Sequence, residues 1–322
     1  MKKSTIITLS VVGIAVVLLL LLLFALTVHT ADTDTEPVRI NLPQGCTYPD
    51  LCDTLEAHRV VVPGTPAAWL FGIEARMLKL DKQVKPGSYL VAGSMPTLNL
   101  ARKLRNGQQD PVRLTIGRFR LPQDLNDYLN STLMHNDFDI TLDSFHLVRP
   151  DTYEVYWTIS PDAFMQRMSK EYRVFFERRG ATPDKDVVIL ASIVEEETNN
   201  NTEKPLIASV YLNRLQRGMP LQADPTVKYA VGDFSLRRIL NRHLGTESPF
   251  NTYLHTGLPP APICLPSAAS VEAVLNAPAT DYLYFCASDL MDGTHRFATT
   301  LTEHNRNAQK FHQALDRNLL IR

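Results

Sequence analysis

The stretch Leu190-Ala191-Ser192-Ile193-Val194-Glu195-Glu196-Glu197-Thr198 opens as an apolar helix pattern and closes on three consecutive carboxylates. At roughly 100° per residue, Glu197 shares a stripe with Val194, Ile193 and Leu190 at i−3, i−4 and i−7. Glu196 falls over Ser192 and is expected to point toward water. One acid of the three is thus carried on the buried side. A carboxyl held against apolar neighbours has a raised pKa and suits general-acid chemistry. A solvated acidic helix end is the competing reading of this stretch alone. Upstream, Thr182-Pro183-Asp184 reads as the helix start, with Thr182 as cap and Pro183 in the first position. Asn199-Asn200-Asn201 ends the helix, and a second one follows over about Lys204–Arg217, stopping at Gly218.

Beyond that second helix come three proline-stiffened stretches: Leu221-Gln222-Ala223-Asp224-Pro225-Thr226-Val227, Ser248-Pro249-Phe250-Asn251-Thr252-Tyr253, and Gly257-Leu258-Pro259-Pro260-Ala261-Pro262-Ile263. Proline fixes turns and holds neighbouring polar side chains in place. Gln, Asn, Thr and Tyr exchange hydrogen bonds without net charge, as a sugar-binding cleft requires. Turn shaping alone would also account for the prolines. Asp281-Tyr282-Leu283-Tyr284-Phe285 and Arg296-Phe297-Ala298-Thr299-Thr300 read as strands. Glu303 and His304 are further candidates for chemistry, although Thr300 or Thr302 with a nearby acid also makes an ordinary helix start.

Toward the N-terminus the pattern repeats. Val38-Arg39-Ile40-Asn41-Leu42 alternates as a strand, and Asp50-Leu51, Asp53 and Leu55 begin a helix. A shift of 74 residues brings back the strand (Val112-Arg113-Leu114-Thr115-Ile116) and the helix start (Asp124-Leu125, Asp127, Leu129). Matching turns follow at Lys85–Val91 and Arg149–Val155, each leading into a basic helix, 97–106 and 161–179. Two related strand–helix–strand–helix units in tandem are expected. They carry few clustered titratable groups. Tyr48 and Tyr89 could face a sugar chain, with core packing as the plainer role.

The chain holds 322 residues, with 33 Lys and Arg against 34 Asp and Glu. That balance provides no field for steering nucleic acid, and no basic stripe stands out. Ile6–Val28 holds 23 residues without a charge, enough to cross a hydrocarbon core of ~30 Å. Lys2 and Lys3 precede it and Asp32, Asp34 and Glu36 follow, which places Met1 in the cytoplasm. The segment is longer than the ~7–15 residue apolar core of a cleaved signal peptide, so a retained anchor is expected. Four cysteines, Cys46, Cys52, Cys264 and Cys286, allow three pairings. Cys46 and Cys52 could bridge a strand end to the first helical turns, while Cys264 and Cys286 read as core residues. Neither C-x-x-C nor a metal-binding histidine spacing occurs in the sequence, so no metal site is expected.

The motifs L-A-S-I-V-E-E-E-T (190–198), L-I-A-S-V-Y-L-N-R-L (206–215), G-M-P-L-Q-A-D-P-T-V-x-Y (218–229), P-F-N-T-Y (249–253), G-L-P-P-A-P-I (257–263), Y-L-Y-F (282–285) and E-H-N (303–305) together resemble the YceG-like endolytic murein transglycosylases. The likeness is close from Thr182 to the C-terminus, and the anchor, a LysM-like unit and the P-D-T-Y turn (150–153) also fit. Phe250 stands where Tyr is usual, Ala261 where Gly is usual, and Ile116 precedes Gly117 where Glu is common. The resemblance implies an α+β fold: an N-terminal transmembrane helix, small LysM-like α/β units, then a mixed α+β catalytic domain. The expected division is 1–5 cytoplasmic tail, 6–28 membrane helix, 29–37 tether, 38–110 LysM-like unit, 111–180 second related unit, and 181–322 catalytic domain.

The family's catalytic acid is the Glu before Thr in E-x-E-T, here Glu197, the residue the helical stripe also selects. The resemblance implies cleavage of the β-1,4 bond from N-acetylmuramic acid to N-acetylglucosamine within nascent glycan strands, leaving 1,6-anhydro ends and limiting strand length. Gln222, Asp224, Asn251 and Tyr253 are the expected substrate-binding residues, and no cofactor is implied. Two other readings stand beside it: a hydrolytic muramidase pairing Glu197 with Asp224, and a wall-binding scaffold without activity. The implied partners are glycan strands, the membrane and wall synthases. The implied location is the inner membrane, with the catalytic part periplasmic.

Overall fold

The computed structural model describes residues 11–17, 36–92, 95–236 and 238–320. Residues 11–17 are helical (α1) with exposed side chains. The rest of the expected membrane segment 6–28 lies outside the described residues. Among the described residues, no helix is long and apolar enough to cross a membrane. The remainder is mixed α and β, with small antiparallel sheets among many helices, and it divides into two compact units.

The first unit holds most of the chain up to Leu114. Strand β1 (Val38–Leu42) pairs antiparallel with β2 (Gly87–Val91), Ile40 opposite Tyr89. Ile40 and Leu42 face inward and Arg39 and Asn41 outward, the period-two pattern of a half-buried strand. Helices α2 (Tyr48–Ala57), α3 (Pro66–Met77) and α4 (Thr97–Asn106) surround this pair. Their apolar faces join the strands in one core that includes Leu51, Leu55, Phe71, Leu80, Tyr89, Leu100 and Leu104. Thr47 caps α2 through a reciprocal pair of hydrogen bonds with Asp50. Tyr89 is fully buried in this core, so it is not an exposed ring awaiting a sugar.

Strand β3 (Val112–Ile116) and helix α5 (Pro122–Thr132) begin 74 residues after β1 and α2, and β3 repeats the burial pattern of β1. Strand β4 (Asp151–Val155) pairs with β3 and leads to α7 (Pro161–Glu177). Tyr89 donates to the carbonyl of Lys85 and Tyr153 to that of Arg149, both at 2.9 Å, so each turn is closed by the same phenol–carbonyl bond. The strand–helix–strand–helix expectation needs one correction. An extra helix intervenes in each copy, α3 in the first and the one-turn α6 (Leu142–Phe145) in the second.

The second unit carries the remaining helices. Helix α8 (Lys185–Glu197) packs against α9 (Lys204–Gln216), α10 (Asp224–Val231) and α12 (Ala268–Leu275). Val188, Leu190, Ile193, Val194, Ile207, Tyr211 and Val271 share its core. The start of α8 differs from the expected one: Asp184, not Thr182, is the cap, accepting the Asp186 N–H at 2.8 Å. A one-turn α11 (Asn241–Leu244) follows α10.

The last hairpin pairs β5 (Tyr284–Ala287) with β6 (His295–Ala298) ahead of α13 (Leu301–Leu320). Both strands are displaced from their expected positions. The carbonyls of Thr280, Tyr282 and Leu283 are taken by Asn213 and Arg214 of α9 instead of a partner strand. Thr299 and Thr300 bond to Glu303 and form the start of α13. All four cysteines are free; Cys46 and Cys52 do not form the suggested bridge, and Cys286 is only partly buried.

Candidate active site

Helix α8 ends by presenting three carboxylates at its negative pole, where each is disfavoured by roughly 0.3–1 kcal/mol. Two of the three are neutralised. Glu195 accepts from Lys204 Nζ at 3.0 Å and from the hydroxyls of Ser267 and Ser270. Burial by itself would raise its pKa, but these hydrogen bonds and the lysine charge together pull it down to about 2. Glu196 meets Arg120 Nη2 at 2.9 Å and Arg118 Nε at 3.5 Å. Its side chain is only 11% exposed. The expectation that Glu196 points into water is therefore wrong: two arginines of the segment before α5 cover it.

Glu197 receives no such cation. Its carboxyl accepts one hydrogen bond, from the Tyr211 hydroxyl of α9 at 2.5 Å. Burial pushes its pKa up to about 7; the Tyr211 bond opposes this, and the charges of Asp224 and Glu196 add to it. By surface area the residue is only partly covered, whereas its carboxyl is closely ringed by protein atoms. The surroundings of the carboxyl govern its proton, so the upward direction stands. Tyr211 is itself buried, and burial together with the neighbouring carboxylate raises its pKa far above the usual phenol value. It thus stays a hydrogen-bond donor throughout the range in which Glu197 titrates.

Glu197 forms part of the wall of two cavities. One, of about 280 Å³, is lined also by Glu196, Asp224, Lys228 and Arg238. The other, of about 680 Å³, is lined by Thr198, Asn200, Ser288, Thr294, His295 and Phe311 among others. Asp224 opens α10, and its Oδ1 accepts from the Tyr253 hydroxyl at 2.7 Å. Glu197, Asp224 and Tyr253 are therefore brought together. Gln222 and Asn251 are not. Gln222 lies outside both cavity walls at a left-handed φ of 52°, its backbone N–H bonded to Thr252. Asn251 is fully buried: its amide donates to the carbonyls of Leu244 and Thr246, and its oxygen accepts from Tyr253 N–H. That use exhausts its donors, so it shapes the loop behind Tyr253 and has no hydrogen left for a ligand. Glu303 caps the start of α13 and His304 packs on Tyr284; neither lines the cavities. Among the described residues, no group of three or more His, Cys, Asp or Glu is placed to hold a metal ion.

This arrangement sits within a recognisable family. The YceG-like family model matches residues 40–310. The chain belongs to the YceG-like family. Over 125 residues it is 45% identical to the endolytic murein transglycosylase of Bacillus subtilis (strain 168), covering 39% of this chain and 34% of that protein. It is 26% identical over 322 aligned positions to the endolytic murein transglycosylase of Streptococcus pneumoniae (strain D39), covering 84% of this chain and 57% of that one. The chain thus spans less than two thirds of the length of these curated relatives. A crystal structure of a YceG-like protein from Listeria monocytogenes is 27% identical, covering 85% of this chain and 99% of that one, with a TM-score of 0.48.

Several residues that shape the site in this YceG-like chain escaped the sequence reading. Arg118 and Arg120 reach α8 across more than 70 positions, a pairing that no local pattern announces. Lys204 and Tyr211 sit on a helix already recognised, with Tyr211 one turn beyond Ile207 on its buried side. Arg214, also buried, ties α9 to the carbonyls of Leu221 and Leu283. The two departures from the family pattern in this region, Phe250 and Ala261, are buried core positions, Phe250 packing on Tyr229 at 4.5 Å between centroids.

Proposed function

We propose that this chain is a membrane-anchored endolytic lytic transglycosylase. Its reaction would cleave the MurNAc–β-1,4–GlcNAc bond of nascent peptidoglycan strands, with Glu197 as the sole acid and base. The observation that carries this reading is the charge balance at the end of α8. Two carboxylates are paired with cations, and the third, beside two cavities, keeps its proton up to a pH of about 7. A general acid needs that property near neutrality. The names of the relatives support the reaction class.

In the proposed cycle, Glu197 gives its proton to the glycosidic oxygen as the bond from that oxygen to C1 of the muramoyl unit breaks. The carboxylate so formed accepts the proton of the same unit's 6-hydroxyl as O6 bonds to C1. Glu197 ends protonated, no water is consumed, and the new end is a 1,6-anhydro sugar. The attacking hydroxyl belongs to the same ring, so its effective concentration is high. The Tyr211 hydroxyl stabilises the carboxylate between the two transfers, as a donor to an ionised acceptor does. Asp224, held by the Tyr253 hydroxyl, would position sugar hydroxyl or acetamido groups at the smaller cavity.

The uncharged segment 6–28 would hold the chain in the inner membrane, with residues 38–110 as a LysM-like spacer, the cleavage site periplasmic, and wall synthases as neighbours. One alternative has a specific observation behind it: Asp224 lines the same cavity as Glu197, as the second carboxylate of a muramidase would. Mass analysis of purified glycan strands after digestion separates the two. Anhydro ends are expected; ends one water heavier would establish hydrolysis. Glu197→Gln should abolish cutting and Asp224→Asn should keep most of it. Cutting by the Gln variant, or binding without cutting by the wild type, would reject the proposal.

A further inference from the structure

Helix α3 has no polar side. Its inner face carries Leu70, Phe71 and Ala75 into the core of the first unit. Its outer face carries Trp69, 65% exposed, and Met77, 77% exposed, with Ile73 one turn from each. Val62, in the loop before the helix, is exposed as well. Folding leaves Val62, Trp69 and Met77 exposed and Ile73 partly so, although Trp and Met are costly to leave in water.

The exposed charges on α3 and α4 are basic, and the next acid along the chain, Asp81 in the turn Leu80–Lys82, is only partly exposed and lies beside Lys82. Helix α4 packs beside α3. The two helices hold a single acid, Glu74, which is 5% exposed. Arg76, Lys79 and Arg102 are exposed on or directly after them. Lys103 is already engaged with Asp110 at 2.7 Å, which neutralises the nearest acid of the following loop. The whole chain is balanced to within one charge, so a basic, apolar face without exposed acids is a local feature. An amphipathic aromatic ring flanked by Arg and Lys matches the lipid–water interface. Only nine residues, 29–37, separate the uncharged segment from β1. Fully extended, they reach about 30 Å.

We propose that the outer face of α3, with the basic side of α4, docks on the anionic lipid surface and lays the first unit against the membrane. This rests on the anchor reading under Proposed function, which supplies the short tether. Trp69 enters the headgroup region, and Arg76, Lys79 and Arg102 meet lipid phosphates. The site recognises a lipid surface by charge and apolar contact, and takes no single lipid in a pocket.

The chain has two tryptophans, and Trp157→Phe leaves Trp69 as the only one. The full-length variant is reconstituted in phosphatidylethanolamine/phosphatidylglycerol vesicles. The expected results are a blue-shifted Trp69 emission and loss of most of that emission with lipids brominated on their acyl chains. Exchanging phosphatidylglycerol for phosphatidylcholine should restore much of it. If Trp157→Phe fails to fold, the difference between wild type and Trp69→Phe gives the same reading. Protein that floats with the vesicles after an alkaline wash, yet has unquenched Trp69, refutes the docking face while keeping the anchor. Protein that does not float refutes the anchor and the docking face with it. Emission that shifts only on adding glycan strands, without quenching by lipid, assigns the face to glycan and overturns the proposal.

Discussion

Replacing Tyr211 by Phe removes one oxygen from the molecule and tests how the Glu197 proton is set. The Tyr211 hydroxyl donates to the Glu197 carboxyl at 2.5 Å and favours its ionised form. A hydrogen bond to a charged group is worth roughly 1.5–3 kcal/mol, which corresponds to about 1–2 pH units. Phe fills the same volume, so no cavity is created and burial of the carboxyl persists. The alkaline limb of strand cleavage, which reports loss of the acid's proton, should lie near pH 7 in the wild type. In Tyr211→Phe it should move upward by about 1–2 pH units, with a lower plateau because the carboxylate intermediate loses its donor. The assay is single-turnover release of anhydro ends across pH 5 to 9 by mass spectrometry. A limb that stays in place, or moves toward acid, would show that Tyr211 does not govern this proton.

Two other substitutions follow from the same end of α8, and a third from the loop behind Tyr253. Raising a carboxyl from 4.5 to about 7 on folding corresponds to roughly 3 kcal/mol of stability, present below pH 4.5 and lost as pH rises through 7; Glu197→Gln should therefore be more stable than wild type at pH 8 and lose that advantage toward pH 4, as followed by urea unfolding. Lys204→Met removes the nearer cation of Glu195 and leaves Arg118 at 3.5 Å. The depressed pKa of Glu195, about 2, contributes above pH 4.5 and fades as pH falls toward 2; the Ser267 and Ser270 hydroxyls carry part of that shift, so the variant should lose roughly 1–2 kcal/mol at pH 7 and much less near pH 2 in the same experiment. Asn251→Ala removes three hydrogen bonds from a buried loop and should cost roughly 2–3 kcal/mol, seen as a lower melting temperature, with KM rising as Tyr253 loosens.

Much of the fold was legible in local pattern. Strands β1 and β3 alternate cleanly because one face of each is buried and the other wet, so their limits could be read residue by residue. The stripe pointed to Glu197, although α8 is buried all round from Val188 to Val194, Ser192 included, so it has no wet side for the stripe to separate. Helix α3 was not, since side chains such as Trp69 and Met77 make it apolar on both faces and erase the period a sequence reading relies on. The β5 limit was missed because Asn213 and Arg214 compete for backbone carbonyls from 67–69 residues away, and the β6 limit because Thr299 and Thr300 bond to Glu303. Asn251 has the composition of a ligand contact and the position of a loop brace, a distinction that burial alone makes. Glu196 misled in a related way: helical geometry fixed its direction, but Arg118 and Arg120 come from elsewhere in the chain and occupy the space it points into.

The two cavities that share Glu197 have a topological consequence if a glycan strand lies along both. A polymer lying along both would place its scissile link in the middle of the bound stretch, with repeat units continuing past the acid in each direction. Loading could then occur from the side, without threading a terminus, and the two fragments would part along opposite exits.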